Sequence, residues 1–150
     1  MNPLSALKII SVKCIPVRLN FNMGVAHGLA SRRYTKNVCV ILESESGFFG
    51  YGECVPRSYV TNETTVSVLS SLDEMLEGIE YRSLFSPEDV LALIAEARNS
   101  DTGTANPAAM CAMELALFDL AGKHWNVSVL QLLKLEKKVS PLYYSLVVPL

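Results

Sequence analysis

Residues 107–122 constrain the fold of this chain most, because they are apolar on every side apart from Glu114 and Asp119. A proline directly after Asn106 is typical of the first turn of a helix, so we predict a helix over residues 108–123. A helix that is apolar all round must be buried, and this one is too short and too charged to span a bilayer. Three small side chains would let a neighbouring element approach it closely: Ala109, Ala112 and Ala116.

Three segments in the first third of the chain have the composition of β-strands: residues 9–21, 34–44 and 48–54. The link over residues 45–47 is so short that the second and third strands must be antiparallel neighbours. Pro16 divides two apolar faces of the first segment, which indicates an edge strand or a bulge. The second segment is apolar on both faces, so we expect both faces to be covered. We expect residues 21–31 to form a mobile loop.

The periodicity changes to that of helices after Pro56. Thr61 or Asn62 is the expected cap of a first helix, and Ser86-Pro87-Glu88-Asp89 is a strong start for a second. The polar residues 99–104 end that second helix, and a short helical turn follows at 129–133. Residues 141–149 again resemble a strand. The pattern therefore predicts an α+β fold in which a three-stranded antiparallel meander precedes a helical bundle.

The composition narrows the class of function. Charged residues make up 19% of the chain, below the usual share of about 25%, so we expect part of its surface to be covered by a partner or a missing piece. A net charge of -2 argues against nucleic-acid binding, and no basic run favours a membrane surface. No signal peptide is evident, so we expect a cytoplasmic protein. Four cysteines without a C-x-x-C pair are expected to be small buried hydrophobic residues: Cys14, Cys39, Cys54 and Cys111.

Three segments together resemble a known family. They are Gly50-Tyr51-Gly52-Glu53 with the following residues 56–64, the buried helix 108–123 with its A-x-E-x-A-x-x-D-L-A-G pattern, and the turn 129–133. In this order they resemble the N-terminal capping domain of the enolase superfamily, in its mandelate racemase and muconate lactonizing branch. The similarity covers essentially the whole chain. Through residues 56–59 it is greatest to the muconate cycloisomerase type.

The resemblance implies a cap over residues 1–139, with 140–150 beginning the first strand of a TIM-type barrel that is otherwise absent. It also implies removal of a proton α to the carboxylate of a small substrate, assisted by Mg²⁺, in an isomerase or lyase. The family carries its lysine bases and acidic metal ligands on the barrel. Lys137 and Lys138 precede the first barrel strand and are not that pair. We therefore expect no catalytic or metal-binding residue here, a chain that is silent alone, its own barrel as partner, and a homo-oligomer.

By the same resemblance, two loops of the cap close over the substrate, at residues 21–33 and 54–61. In the first loop the candidate contacts are Met23, Val25 and His27; the alternative is that they pack or face solvent. In the second loop the candidates are Arg57 and Tyr59, since a guanidinium fork suits a carboxylate. A salt bridge from Arg57 to the barrel rim is the alternative.

The remaining acids are expected to be structural. Glu53 ends a glycine-bearing strand, and Glu114 and Asp119 lie on a buried helix, where charge must be paired. Lys123 stands four residues after Asp119 and can pair with it. A different class of function stays open: a standalone, non-catalytic module whose apolar face binds a partner.

Overall fold

The computed structural model of the chain describes residues 5–27 and 30–135, with the side chains of 25–27, 30 and 31 outside the description. The predictions for residues 140–150 and for Lys137 and Lys138 therefore lie outside the described residues. Four strands form one sheet: β1 Leu7–His27, β2 Ala30–Ser44, β3 Phe49–Cys54 and β4 Ser83–Leu84. A 3-10 helix, Ile79–Tyr81, and five α-helices accompany it within the described residues: α1 Thr65–Met75, α2 Pro87–Asn99, α3 Asp101–Ala105, α4 Pro107–Trp125 and α5 Val129–Leu132.

The predicted α+β fold is confirmed, with a short fourth strand added to the meander. The sheet is open and antiparallel, in the order β3-β2-β1-β4. Val40 in β2 stands opposite Cys14 on one side and Gly52 on the other. The fourth strand pairs only with Leu7 and Lys8, so the rest of β1 is an edge. Pro16 lies on that edge, as expected of a residue without a backbone donor.

The bulge in β1 lies away from Pro16. The pairing register with β2 shifts between Ile9 and Ser11, where β1 has one extra residue. That residue reverses which side chains of β1 face the helices. Leu7 and Ile9 are buried before the shift, and Val12 and Cys14 pack against the same core after it. The shift therefore keeps β1 apolar toward the helices from Leu7 to Cys14.

The prediction of a loop over residues 21–31 is wrong for most of that segment. Strands β1 and β2 extend through it, with Val25 opposite Arg32 and His27 opposite Ala30, after a register shift that follows Asn20. Glycines and the lack of alternating apolar residues suggested a loop. A hairpin ladder is held by backbone hydrogen bonds, however, and does not need an apolar face.

The helices cover one face of the sheet. Val38, Val40 and Leu42 of β2 are fully buried beneath them, while Cys39 and Ile41 on the opposite face are partly exposed. Among the described residues, only the first of these faces is covered. The other face of β1, β2 and β3, together with the neighbouring side of α4, is called the open face below.

Helix α4 packs against β3 at very short range, as its small alanines predicted. A Cβ added to Gly50 would lie 2.3 Å from the Ala116 carbonyl oxygen, and one added to Gly52 would lie 1.9 Å from that of Ala112. Both distances are far below van der Waals contact, so only glycine fits at these two positions. The small alanines on α4 complete the close approach.

The helix starts follow local chemistry with one correction. Ser86 caps α2 as predicted: its Oγ accepts from the Asp89 amide at 3.3 Å, and the Asp89 carboxylate accepts from the Ser86 amide at 3.1 Å. The cap of α1 is Thr64, whose Oγ1 accepts from Ser67 N at 3.1 Å. Asn62 has a left-handed backbone with φ 58, which ends the preceding turn and delays the helix beyond the predicted cap.

Candidate functional site

A groove of about 720 Å³ lies between the beginning of β2 and the residues that lead from β3 into α1. Its walls come from residues 32–36 on one side and from residues 56–59 and 63–66 on the other. Both predicted substrate loops contribute to it, the first through Arg32 and Arg33 and the second through Arg57 and Tyr59. The structure therefore brings together parts of the chain that the sequence could only propose separately.

A cation–π contact joins the two sides of the groove. The Arg32 guanidinium carbon lies 4.7 Å from the centre of the Tyr59 ring. The loop that carries Tyr59 is held as a turn, because the Val60 and Thr61 amides both donate to the Arg57 carbonyl, at 2.8 and 2.9 Å. Arg57 itself is partly buried. The two loops are therefore coupled, and Arg57 lines the cavity between them.

The five predicted contact residues are placed unequally. Arg57 and Tyr59 line the groove. Met23 is 53% exposed on β1 and lies outside the groove lining. The backbones of Val25 and His27 belong to the hairpin ladder, and their side chains lie outside the described part of the structure.

Positive charge dominates the groove. Four cationic side chains line it: Arg32, Arg33, Lys36 and Arg57. The one carboxylate among the described residues of the lining, Glu63, is only 2% exposed. It accepts from Ala108 N at 3.1 and 3.0 Å and from Ala109 N at 3.2 Å. Its negative charge is thus directed at the amino end of α4, where anions are stabilised.

Glu53 is hydrogen-bonded as the structural hypothesis expected. Its carboxylate accepts from the side-chain amide of Asn37, and the Asn37 carbonyl oxygen accepts from Thr35 Oγ1 at 2.8 Å. Asn37 and Thr35 are both buried, so this chain of bonds ties the end of β3 to β2 beneath the groove. The sequence analysis missed Asn37. Its only local signal in the sequence was a polar residue directly before the apolar run of β2.

The acids of α4 are paired, as predicted. Glu114 pairs with Arg98 of α2. Asp119 accepts from Lys123 Nζ at 2.6 Å and also from the Tyr51 amide at 2.9 Å, on the outer edge of β3. Lys123 in turn donates to the Phe49 carbonyl at 2.8 Å. These bonds satisfy backbone groups of an edge strand and bind α4 to it.

Burial deactivates the thiols of Cys54 and Cys14. Burial, with a smaller effect of the nearby Glu63 carboxylate, raises the pKa of Cys54 to about 12. Burial raises the pKa of Cys14 to about 11, assisted by Asp73. Both thiols therefore stay protonated and act as small apolar side chains. Cys111 is exposed, so the prediction that it is buried is wrong.

The next feature is the capacity of the described residues to bind a metal ion. Among residues 5–27 and 30–135, no group of three or more His, Cys, Asp or Glu side chains is arranged to hold a metal ion. This part of the chain therefore contains no set of donors for the Mg²⁺ that the family resemblance implies.

None of the helices within residues 5–27 and 30–135 is long and apolar enough to cross a bilayer.

Comparison with known proteins gives a consistent family. Residues 9–134 match the family described as "Mandelate racemase / muconate lactonizing enzyme, N-terminal domain". An L-Lys-D/L-Arg epimerase from Desulforapulum autotrophicum is 34% identical over 102 residues, covering 65% of this chain and 27% of that protein. A hydrophobic dipeptide epimerase from Enterococcus faecalis is 28% identical over 127 residues, covering 85% and 34%.

Solved structures agree on the fold. A dipeptide epimerase from Enterococcus faecalis, complexed with Mg and the dipeptide L-Leu-L-Tyr, superposes with a TM-score of 0.70 at 24% identity, covering 84% of this chain and 34% of that one. A dipeptide epimerase from Methylococcus capsulatus has the same TM-score of 0.70 at 22% identity. The chain spans about a third of the length of these relatives, 27% and 34% for the two curated proteins above. It therefore belongs to the mandelate racemase and muconate lactonizing enzyme family of the enolase superfamily, as an N-terminal domain of that family.

Proposed function

We propose that this chain is the substrate-selecting cap of an enzyme that inverts the configuration at a carbon next to a carboxylate, in a small substrate such as an amino-acid derivative or dipeptide. The observation that carries the proposal is the cationic groove in which both predicted substrate loops meet, with Arg57 and Tyr59 in its lining. The names of the epimerases to which the chain is similar support the class of reaction.

Inversion requires that a base removes the α-proton and that a proton returns on the opposite face. Such protons are very weakly acidic, so the negative charge that develops on the carboxylate must be stabilised. Within residues 5–27 and 30–135, no cluster of His, Cys, Asp and Glu side chains could hold a stabilising metal ion. We propose that the bases and the stabilising cation belong to a barrel domain and that this chain is silent alone.

The work left to this chain is binding and closure. The guanidinium fork of Arg57 can donate two parallel hydrogen bonds to a carboxylate. Because Arg32 holds the ring of Tyr59, the two loops would close over a substrate together. Closure of that kind excludes water and strengthens the electrostatic interactions beneath the lid. The cytoplasmic location and the homo-oligomeric state stay predictions.

The test uses the whole protein that contains this chain, incubated with a panel of L,L-dipeptides in D₂O. We expect deuterium to enter the α-position of at least one substrate as the epimer forms, followed by mass spectrometry and chiral chromatography. Arg57→Ala should lower kcat/KM about 10- to 100-fold, chiefly through KM, because a charge-assisted bidentate contact is lost.

The matched control is Arg82→Ala, since Arg82 forms an exposed ion pair with Glu96 away from the groove and such pairs contribute little to stability. It should keep kcat/KM within about twofold. Absence of deuterium incorporation with every substrate would contradict the reaction class. Equal activity of Arg57→Ala and the wild type would remove Arg57 from the substrate site.

A second candidate, a non-catalytic module for protein association, is favoured by one observation. The open face carries Ile15, Tyr51 and Leu115, which are 41%, 54% and 47% exposed, around a second cavity of about 680 Å³. If the whole protein moves no α-proton but captures a partner through this face, the association function replaces the enzymatic one.

A further inference from the structure

We propose that Asn37 is a positioning residue for the loop of residues 54–61 and acts through its hydrogen bond to the Glu53 carboxylate. By holding Glu53 in place, Asn37 fixes the position of Arg57, which follows four residues later and lines the groove. This inference rests on the proposed function, since it takes Arg57 to be the residue that binds the substrate. Asn37 itself makes no contact with the substrate.

The hydrogen bond lies where the backbone ladder between β2 and β3 ends. The last register pair of the two strands is Val38 with Cys54, and the chain then leaves the sheet. Glu53 stands opposite Cys39, so Asn37 lies two residues beyond that partner on the same face of β2. Diagonal neighbours of this kind are within reach of longer side chains. The side-chain bond therefore continues the connection between the strands past the point where backbone pairing stops.

The surroundings of Asn37 leave its amide one orientation. An ionised carboxylate only accepts hydrogen bonds, so Nδ2 of Asn37 faces Glu53, and Oδ1 accepts from Thr35 Oγ1 at 2.8 Å. The register partners of Asn37 and Thr35 on β1 are Val17 and Leu19, whose side chains form no hydrogen bonds. Asn37 is only 5% exposed, so little water competes for its amide, and the bond to Glu53 is stronger than it would be at the surface.

Side chains join the loop to β2 at two points. At the base of the loop, Glu53 accepts from Asn37. Further along, the ring of Tyr59 lies against the Arg32 guanidinium, whose carbon is 4.7 Å from the ring centre. Arg57 lies between these two points in the sequence. Because Arg32 and Asn37 both belong to β2, one strand holds both ends of the segment that carries Arg57.

Loss of the bond should act on the groove more than on the stability of the fold. Glu53 is exposed, so Glu53→Ala removes the bond without opening a cavity in the core. The loop keeps its internal turn, because the amides of Val60 and Thr61 donate to the Arg57 carbonyl. The variant should therefore release the base of the loop from β2 while the turn around Arg57 stays intact.

The first measurement is turnover of the dipeptide panel by the whole protein. Glu53→Ala should raise KM about tenfold and keep kcat within about twofold, because a hydrogen bond to a charged group is lost away from the reacting centre. Glu53→Gln keeps an acceptor oxygen for Asn37, so its KM should stay close to that of the wild type. In the Arg57→Ala background, Glu53→Ala should change kcat/KM by less than about twofold, since the residue that it positions is already absent.

The second measurement needs no turnover. Trypsin cleaves after arginine, and digestion of the folded whole protein followed by mass spectrometry gives the rate at each site separately. Glu53→Ala and Asn37→Ala should raise cleavage after Arg57 about tenfold, while cleavage after Arg98 in α2 stays within about twofold. Glu45→Ala is the matched control, because Glu45 is an exposed acid in the turn at the other end of β3, and it should change neither rate.

The outcomes separate positioning from general stability and from the proposed function. Equal increases in cleavage after Arg57 and Arg98 in Glu53→Ala would show that the bond stabilises the whole fold, and the positioning role is then wrong. An unchanged KM for epimerised dipeptides, or a full effect of Glu53→Ala in the Arg57→Ala background, also overturns it and leaves the proposed function standing. If no dipeptide is epimerised while Glu53→Ala selectively exposes Arg57 to trypsin, the bond is confirmed as the anchor of the loop and the proposed reaction is wrong. Unchanged cleavage without turnover overturns both.

Discussion

Glu63 connects the groove to the central helix at the scale of a single residue. Asn106, the residue that precedes α4, forms no side-chain cap for that helix. The carboxylate of Glu63, which lies 45 positions before Ala108, accepts from Ala108 N. It therefore caps α4 from outside the helix. Because the group is buried and fully engaged, its loss leaves helix amides without a partner.

Replacing Glu63 should therefore cost stability far more than replacing a surface acid. We expect Glu63→Ala to lower the free energy of unfolding by about 1–3 kcal/mol, the usual consequence of unsatisfied buried donors. Glu63→Gln should cost less, since it keeps one acceptor oxygen. Urea titration at a low, fixed protein concentration measures the change. Glu77→Ala, at an exposed position, should stay within about 0.5 kcal/mol; equal effects of the two alanine variants would show that the cap is unimportant.

The packing of α4 against β3 is the most extensive helix–strand contact among the described elements. Gly52 meets Ala112 at a distance that allows no side chain, and Asp119 and Lys123 bind the backbone of the same strand. The close packing positions β3, and with it Glu53 and the loop of Arg57. The groove therefore depends on the contact between α4 and β3, because that contact positions the loop that forms one of its walls.

Adding one methyl group at that contact should disturb both stability and the groove. Gly52→Ala should lower the free energy of unfolding by about 1–3 kcal/mol or more, because the helix must shift to admit the new carbon. Gly24→Ala is the matched control on another strand, where the nearest atom to the added carbon, the Arg32 carbonyl oxygen, lies 3.8 Å away. Thermal unfolding of the two variants separates them, and a smaller loss for Gly52→Ala than for Gly24→Ala would contradict the packing argument.

The two faces of the sheet differ at the scale of the whole molecule. One face is buried beneath the helices, while the open face exposes Ile15, Tyr51 and Leu115 to a large extent. Soluble monomers rarely expose contiguous apolar patches of more than a few hundred Å². The low charge content of the chain, 19%, is consistent with an uncovered surface of this kind.

We expect the 150-residue chain to self-associate through the open face when it is produced alone. Analytical ultracentrifugation over a range of concentrations should show mass that increases with concentration, and Ile15→Glu with Leu115→Glu should shift the chain toward monomer. Val60→Glu is the control, because Val60 is 68% exposed on the loop at the groove. A stable monomer of the wild-type chain at all concentrations would contradict the covered-surface argument.

The sequence alone determined the features that depend on residues close together along the chain. Ser86 to Asp89 predicts the start of α2, the stretch that is apolar on every side predicts the buried helix, and three alanines on that helix predict the close approach of a neighbour. The pair of Asp119 and Lys123 followed from their spacing on one helix face. Each of these signals is local, because caps, periodicity and spacing act over a few consecutive residues.

Only the tertiary structure decided the rest. The contact of Arg32 with Tyr59 and the cap that Glu63 supplies to Ala108 join residues far apart in the chain, and no local pattern encodes such a distance. The hairpin through residues 21–27 and 30–31 is held by ladder hydrogen bonds that any side chain permits. The candidate loops could be named from the sequence, but the groove exists only because strand pairing and helix packing place their cations together.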